Sequence, residues 1–137
     1  MIEMVKADCL ELWNSSYVES ETATHYKTYF PTIYHKADLR GLSKRYQSAI
    51  YRIQTGHCGL NGHLNRLNIK DSPLCQSCGV TEDVKHFIME CPRYSQEREY
   101  LKQMCTNGDQ LRLHDVLTKR ELYMALGDFL MSTGRFI

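Results

Sequence analysis

Cys75, Cys78, His86 and Cys91 fall within seventeen positions, in the spacing C-x2-C-x7-H-x4-C. Three thiols and an imidazole are a donor set for tetrahedral Zn²⁺, and a C-x2-C turn can bring two thiolates to one ion at about 2.3 Å. Gly79, directly after the second cysteine, supplies the backbone freedom that so tight a turn needs. Four protein ligands leave no open coordination position, so a zinc ion here would be structural rather than catalytic. Two other readings remain open. The cysteines could pack as small hydrophobes beside a capping histidine, or two of them could form a disulfide. The spacing favours the metal.

Thr81 is placed to cap a short helix through Val84, His86 and Phe87, which would present the imidazole from its first turns. His86 and Cys91 are five residues apart, about 140° around a continuous α-helix, so the helix has to stop before both can face one ion. Pro92 provides the stop. The residue before a proline is pushed out of the α region, and Cys91 can then swing back towards the metal.

Other residues capable of chemistry lack such a frame. His57, Cys58, His63 and Cys105 could form a second site, but nothing in their spacing fixes a geometry, and core or surface roles are the ordinary expectation. Cys9 lies on an apolar helical face and reads as core. His25, His35 and His114 have no visible partner. No glycine-rich elbow supports a Cys–His nucleophilic pair, and no poised acid and base stand together, so the chain is not expected to be an enzyme.

The elements that must hold these residues read as helices. Val5, Cys9, Leu12, Trp13 and Ser16 share one face of a first helix near residues 2–20, and residues 22–37 lack a period and read as a connector. Leu39, Leu42, Tyr46, Ala49, Ile50 and Ile53 recur at helical spacing, with Arg40, Lys44 and Tyr51 opposite and Arg45 and Arg52 flanking the apolar stripe. Gly56 and Gly59 end that helix, and Leu60, Leu64 and Leu67 mark a short one after it. Pro92 suits the first turn of a helix over residues 93–105. Thr118 with Glu121 forms a capping-box signature for a last helix carrying Leu122, Ala125, Leu126, Phe129 and Leu130, with Gly134 as its stop.

The expected fold is mostly α: a small helical domain built around a CCHC zinc knuckle, with at most a short β-hairpin. One domain over 1–137 divides into an N-terminal helix and connector (1–35), a basic helical segment (36–70), the knuckle (73–94) and C-terminal helices (95–137). Net charge is only +1, yet residues 36–70 hold seven basic side chains against one acidic, while both flanks are net acidic. Such a basic stripe attracts a polyanion locally. Arg40, Lys44, Arg45, Arg52, Arg66 and Lys70 are the candidate phosphate contacts. No apolar stretch approaches the roughly 20 residues that span a bilayer, and the first turns carry charges rather than a signal region. The expectation is an intracellular protein, nuclear or cytoplasmic, without a membrane partner. There thiols stay reduced, and six cysteines suggest metal binding more than disulfides.

The run Ile50-Tyr-Arg-Ile-Gln-Thr-Gly-His57, then Leu60, Leu64 and Arg66, then Ser72-Pro73-Leu-Cys75-Gln-Ser-Cys78-Gly79 and Glu82 through Tyr94, resembles a known family. It is similar to the C-terminal zinc-binding region of non-LTR retrotransposon polyproteins, downstream of reverse transcriptase and ribonuclease H. Leu12-Trp13 through Tyr29-Phe30-Pro31 resembles the linker after ribonuclease H in such elements. The resemblance covers about residues 10–105 and is strongest over 50–94. It implies Cys75, Cys78, His86 and Cys91 as zinc ligands, and RNA or DNA as partner, together with the rest of a retroelement polyprotein. Single-stranded RNA is the first choice, because exposed bases offer stacking surfaces. No polymerase, endonuclease or ribonuclease H motif has a counterpart here, and there is no Tyr-x-Asp-Asp box. The chain is either a piece of a mobile-element protein or a stand-alone descendant of its tail. The competing reading is a zinc-stabilised protein-interaction module without nucleic-acid binding.

Overall fold

The computed structural model describes residues 1–105 and 110–136, which are mostly helical and contain no named strand. Seven α-helices lie among them: α1 (Ile2–Glu19), α2 (Thr24–Tyr29), α3 (Lys44–Thr55), α4 (Asn61–Arg66), α5 (Ser95–Met104), α6 (Leu113–Thr118) and α7 (Tyr123–Ser132). α7 is the centre of the packing, with α3 on one side and α5 on the other, while α6 closes against α2, α3 and α7. Ile50, Ile53, Phe87, Ile88, Leu101, Leu117, Leu126, Phe129 and Leu130 form a buried core between them.

α3 shows why the sequence folds this way. The Ser43 hydroxyl accepts from the backbone N–H of Tyr46 at 3.2 Å, satisfying a donor that the first helical turn leaves open. Gly56 ends the helix at φ +74°, a left-handed conformation that favours glycine. Between these caps Ala49, Ile50, Ile53 and Gln54 are buried, whereas Lys44, Arg45, Ser48, Tyr51 and Arg52 are exposed. At 100° per residue the two sets occupy opposite faces. The buried Gln54 amide donates to Leu117 O at 2.9 Å, tying α3 to α6.

Gly127, in the middle of α7, is explained by α3. A Cβ there would lie 2.2 Å from the Tyr46 ring, so the two helices meet at a position with no room for a side chain. The Tyr46 hydroxyl donates to the carboxylate of Asp128 on the same helix.

Three expectations need correction. Leu39 and Leu42 precede α3 rather than lying on it. Leu39 is nevertheless buried and Leu42 packs against the core. The connector contains α2, a six-residue helix too short to show a period, held by packing on α3 and by a 2.9 Å hydrogen bond between His25 Nδ1 and Gln54 O. Thr118 does not cap α7. It is the last residue of α6, its hydroxyl donates to His114 O, and a 3-10 turn over Arg120–Leu122 leads into α7. Gly134, at φ +71°, is the stop expected of it.

α1 is unlike the rest. None of its eighteen residues is buried. Leu12 and Trp13 are 72% and 62% exposed, and Cys9 is exposed too, so it is not the core residue its helical face suggests. Tyr17 donates to Phe30 O at 2.6 Å, and Asn14 Oδ1 accepts from Ile33 N at 3.2 Å, which fasten the C-terminal half of α1 to the segment after α2.

Candidate metal centre

The first two candidate ligands, Cys75 and Cys78, sit on a narrow loop. Leu74 and Thr81 form an isolated antiparallel bridge, Cys75 N donates to Val80 O at 2.7 Å, and Gly79 N returns to Cys75 O at 3.0 Å. Gly79 has φ +70°, the conformation the turn requires. The loop is braced from outside by α4: Gly62 N donates to Glu82 O at 3.0 Å, and a Cβ on Gly62 would come within 2.9 Å of that oxygen.

The other two candidates, His86 and Cys91, respectively open and directly follow a π turn. Asp83, not Thr81, is the cap: its carboxylate accepts from His86 N at 2.8 Å, and the helix begins at Val84, directly after Asp83, whereas Thr81 lies two residues earlier and pairs with Leu74. The helix then widens over His86–Glu90, and Cys91 N donates to His86 O at 2.7 Å. An i→i+5 bond brings residues five apart towards one side, which an α-helix would splay by about 140°. Cys91 itself is extended, at φ −62° and ψ 119°, as Pro92 dictates.

The four side chains converge. Their ligand atoms all lie within 4.8 Å of one another. Cys75 Sγ is 3.9 Å and Cys78 Sγ 3.8 Å from Cys91 Sγ. A tetrahedral ion with Zn–S bonds of ~2.3 Å would set its sulfurs roughly 3.8 Å apart. His86 Nε2 is buried without a hydrogen-bond partner, an orphan that a metal bond would satisfy. Its Nδ1 lies 3.8 Å from the Glu90 carboxylate, on the side where a second-shell acceptor orients a ligating imidazole.

The electrostatics of the cluster bear on which thiols can ionise. Burial opposes ionisation of Cys75, but the N–H of Ser77, the His86 ring, the N–H of Cys78 and the Cys91 thiol bring it down to about 7. Partial burial and the neighbouring Cys91 and Cys75 sulfurs push Cys78 up to about 11. One thiolate forms readily in this cluster and makes the next one harder, so a metal ion is what would let all three ionise together. No disulfide is present among the cysteines, and the residues fit the zinc reading on donor type, spacing and burial.

Two features of the centre were not visible in the spacing. Arg98, on α5, is 5% exposed and donates through Nε to Ile88 O at 2.6 Å and through Nη2 to Cys91 O at 2.8 Å and Phe87 O at 3.4 Å. Burial pulls its pKa down, while the nearby Cys91 sulfur and Glu90 pull the other way. It makes no ion pair with a carboxylate among the described residues. Arg135, beyond α7, bonds Glu82 Oε1 at 2.6 Å, Tyr94 Oη at 3.0 Å and Gly59 O at 3.1 Å. Burial lowers its pKa, but the bonds to Glu82 and Tyr94 outweigh that and leave it raised. Neither arginine has a sequence signature: Arg98 bonds backbone carbonyls seven to eleven residues upstream, which any residue type supplies, and the acceptors of Arg135 come from distant parts of the chain. Asp83 did have one: an Asx residue three positions before the first ligand of a helix is a cap pattern.

Arg40, Lys44, Arg45, Arg52, Arg66 and Lys70 are all exposed. Lys44, Arg45 and Arg52 share the outer face of α3 with Tyr51, and that helix carries no carboxylate. Arg40 stands apart, in the turn before α3. Its guanidinium grips Asp38 at 2.8 Å, and Arg120 bonds the same carboxylate, which holds Asp38 well below the usual carboxylate range. Of the weaker candidates, His57 and His63 stack at 5.0 Å, Cys58 is buried with its thiol towards Gly56 O, and Cys105 joins no ligand cluster among the described residues.

Comparison with known proteins follows the same line. The chain is 25% identical over 97 residues to a retrovirus-related Pol polyprotein from the type-1 retrotransposable element R1 of Bradysia coprophila, covering 71% of this chain and 10% of that protein. It is 26% identical over 93 residues to the corresponding polyprotein of element R1 4 from Nasonia vitripennis, covering 66% of this chain and 23% of the relative. The chain thus spans about a tenth and about a quarter of the curated relatives it matches. No family model matches it, and no solved structure does. These homologues support a region related to retrotransposon polyproteins, with a cysteine and histidine cluster able to hold a metal ion.

Proposed function

We infer that this chain is a non-catalytic zinc module of retroelement origin, in which Cys75, Cys78, His86 and Cys91 hold Zn²⁺ as a CCHC knuckle and the basic segment binds nucleic acid. The observation that carries the reading is the outer face of α3, where Lys44, Arg45 and Arg52 surround the exposed Tyr51 without an acidic residue. Exposed cations beside an exposed ring suit a flexible strand that offers phosphates and unpaired bases, and single-stranded RNA is the favoured ligand. The zinc ion serves folding, since all four positions around it are taken by protein.

Fluorescence anisotropy of a labelled single-stranded RNA with the zinc-loaded chain tests this. Affinity should fall with salt at a log–log slope of about −0.7 for each phosphate neutralised. Lys44→Glu with Arg52→Glu should flatten that slope and weaken all sequences alike, because phosphate contacts position without specifying.

A second reading, a protein-interaction module, is favoured by α1. None of the eighteen residues of α1 is buried, and Ile2, Leu12 and Trp13 point outward, so the described residues leave most of this helix uncovered. No described helix is long and apolar enough to cross a membrane. A folded, zinc-loaded chain that binds neither RNA nor DNA at low salt would leave this second reading standing alone.

A further inference from the structure

A groove of about 480 Å³ opens between α2, α4 and the segment Thr81–Lys85 that leads into His86. Pockets for small ligands run ~300–1,000 Å³, so the space suits one nucleotide-sized group. Each wall contributes a different chemistry. On the α2 side stand His25 and Tyr29, their rings 5.4 Å apart, with His25 fixed by its bond to Gln54 O. On the α4 side stand His63 and, one turn further, Arg66, which is exposed and makes no ion pair among the described residues. Asp83 and Lys85 form the third wall.

The groove is lined by both signs of charge, Arg66 and Lys85 against Glu82 and Asp83. His63 is held below the ordinary histidine value by burial, and by the neighbouring His57 and Arg66. Tyr29 is pushed up by burial and by the Asp83 carboxylate, and both line the groove. Lys85 pairs with Glu90 at 3.3 Å, but both side chains are half exposed or more, and such a surface pair exchanges readily for a stronger anion. The third wall lies between Cys78 and His86, so closing the metal site also fixes the groove.

We propose that this groove seats one nucleotide of a single-stranded nucleic acid, with its phosphate against Arg66 and Lys85, its base across the Tyr29 ring, and Asp83 accepting from a base N–H. The proposal rests on the nucleic-acid reading and adds to it a position where a base is held rather than a phosphate tracked. A duplex cannot use it, because paired bases are not free to leave the stack.

The test uses the zinc-loaded full chain and a short labelled oligouridylate, read by anisotropy over a salt series. Tyr29→Leu keeps an apolar side chain on α2 but removes the ring, and should weaken binding roughly tenfold at an unchanged salt slope. Arg66→Gln should reduce the slope by about 0.7. Zinc content and melting temperature confirm that both variants are folded, and His63 provides a second readout. Its ring titration followed by NMR should move upward when the oligonucleotide binds, because a phosphate offsets its positive neighbours. Wild-type affinity and slope in both folded variants would overturn the groove, and a persisting defect in Lys44→Glu with Arg52→Glu would keep the α3 face. A duplex bound as tightly as the single strand would also overturn it. No binding of any strand by the unmodified chain would sink the groove and the nucleic-acid reading together.

Discussion

A centre of three thiolates and one neutral imidazole around Zn²⁺ carries a net charge of −1, and a buried charge is expensive unless it is compensated. Arg98 is the compensating group within reach. Its guanidinium is buried among the carbonyls of Phe87, Ile88 and Cys91, and it meets no carboxylate among the described residues. With zinc bound, the arginine and the thiolate centre would each supply the charge that the other needs. Arg98→Met, which keeps most of the side-chain volume, should lower zinc affinity by about 10- to 100-fold, as loss of outer-shell partners does elsewhere. Competition with a chromophoric chelator measures it. Arg98→Lys should recover only part of the loss, because a lysine restores the charge without the planar fork that reaches several carbonyls. If Arg98→Met melts early yet holds zinc as tightly as the unmodified chain, the residue only satisfies carbonyls.

At the scale of elements, α7 is the most constrained piece of the fold. Leu126 is fully buried there, and Leu126→Ala should cost ~2–5 kcal/mol. Gly127→Ala is the sharper test, because helix propensity alone would make alanine better by about 1 kcal/mol. The Tyr46 ring stands where the new methyl would go, so the substitution should instead destabilise by ~1–3 kcal/mol through overpacking, read as a lower melting temperature. Tyr46→Ala with Gly127→Ala should then lose less than the two single changes added together. The sequence made α3 and α7 legible because each buries a regular stripe, and the spacing of Cys75, Cys78, His86 and Cys91 made their clustering legible, while α5 buries only Arg98 and Leu101. It did not show α2, which is too short to display a period, nor Gly127, whose reason lies on another helix. Thr81 and Asp83 are both capping types, and the start of the helix at Val84 decides between them, because it leaves Asp83 adjacent to the first turn and Thr81 two residues too early. α1 misled in another way: its apolar stripe is real, but a stripe shows what a helix could bury, not that anything covers it.

At the scale of the molecule, the metal centre and the helical core are one structure. Cys75 and Cys91 belong to the same buried cluster as Leu126 and Phe129. The π turn that presents His86 also presents Phe87, whose ring meets Tyr94 at 4.9 Å, Phe129 at 5.5 Å and Phe136 at 5.8 Å. A loop that frayed alone would therefore pull an aromatic anchor out of the core. Apparent binding energies of structural zinc sites are ~10–16 kcal/mol, comparable to or larger than the whole stability of a small domain, which is ~5–15 kcal/mol. Chelation should thus unfold the core from α3 to α7 in one cooperative transition rather than loosen residues 73–94 by themselves. Tryptophan emission is a poor probe of this, since the single tryptophan, Trp13, sits exposed on α1. Amide hydrogen exchange is the appropriate measurement. Protection at Ile53, Phe87 and Leu126 should vanish together as zinc is withdrawn and return together when it is restored. If Leu126 stays protected while Phe87 exchanges, the knuckle is a separate folding unit. If neither changes, the cysteines are core residues and the zinc reading falls.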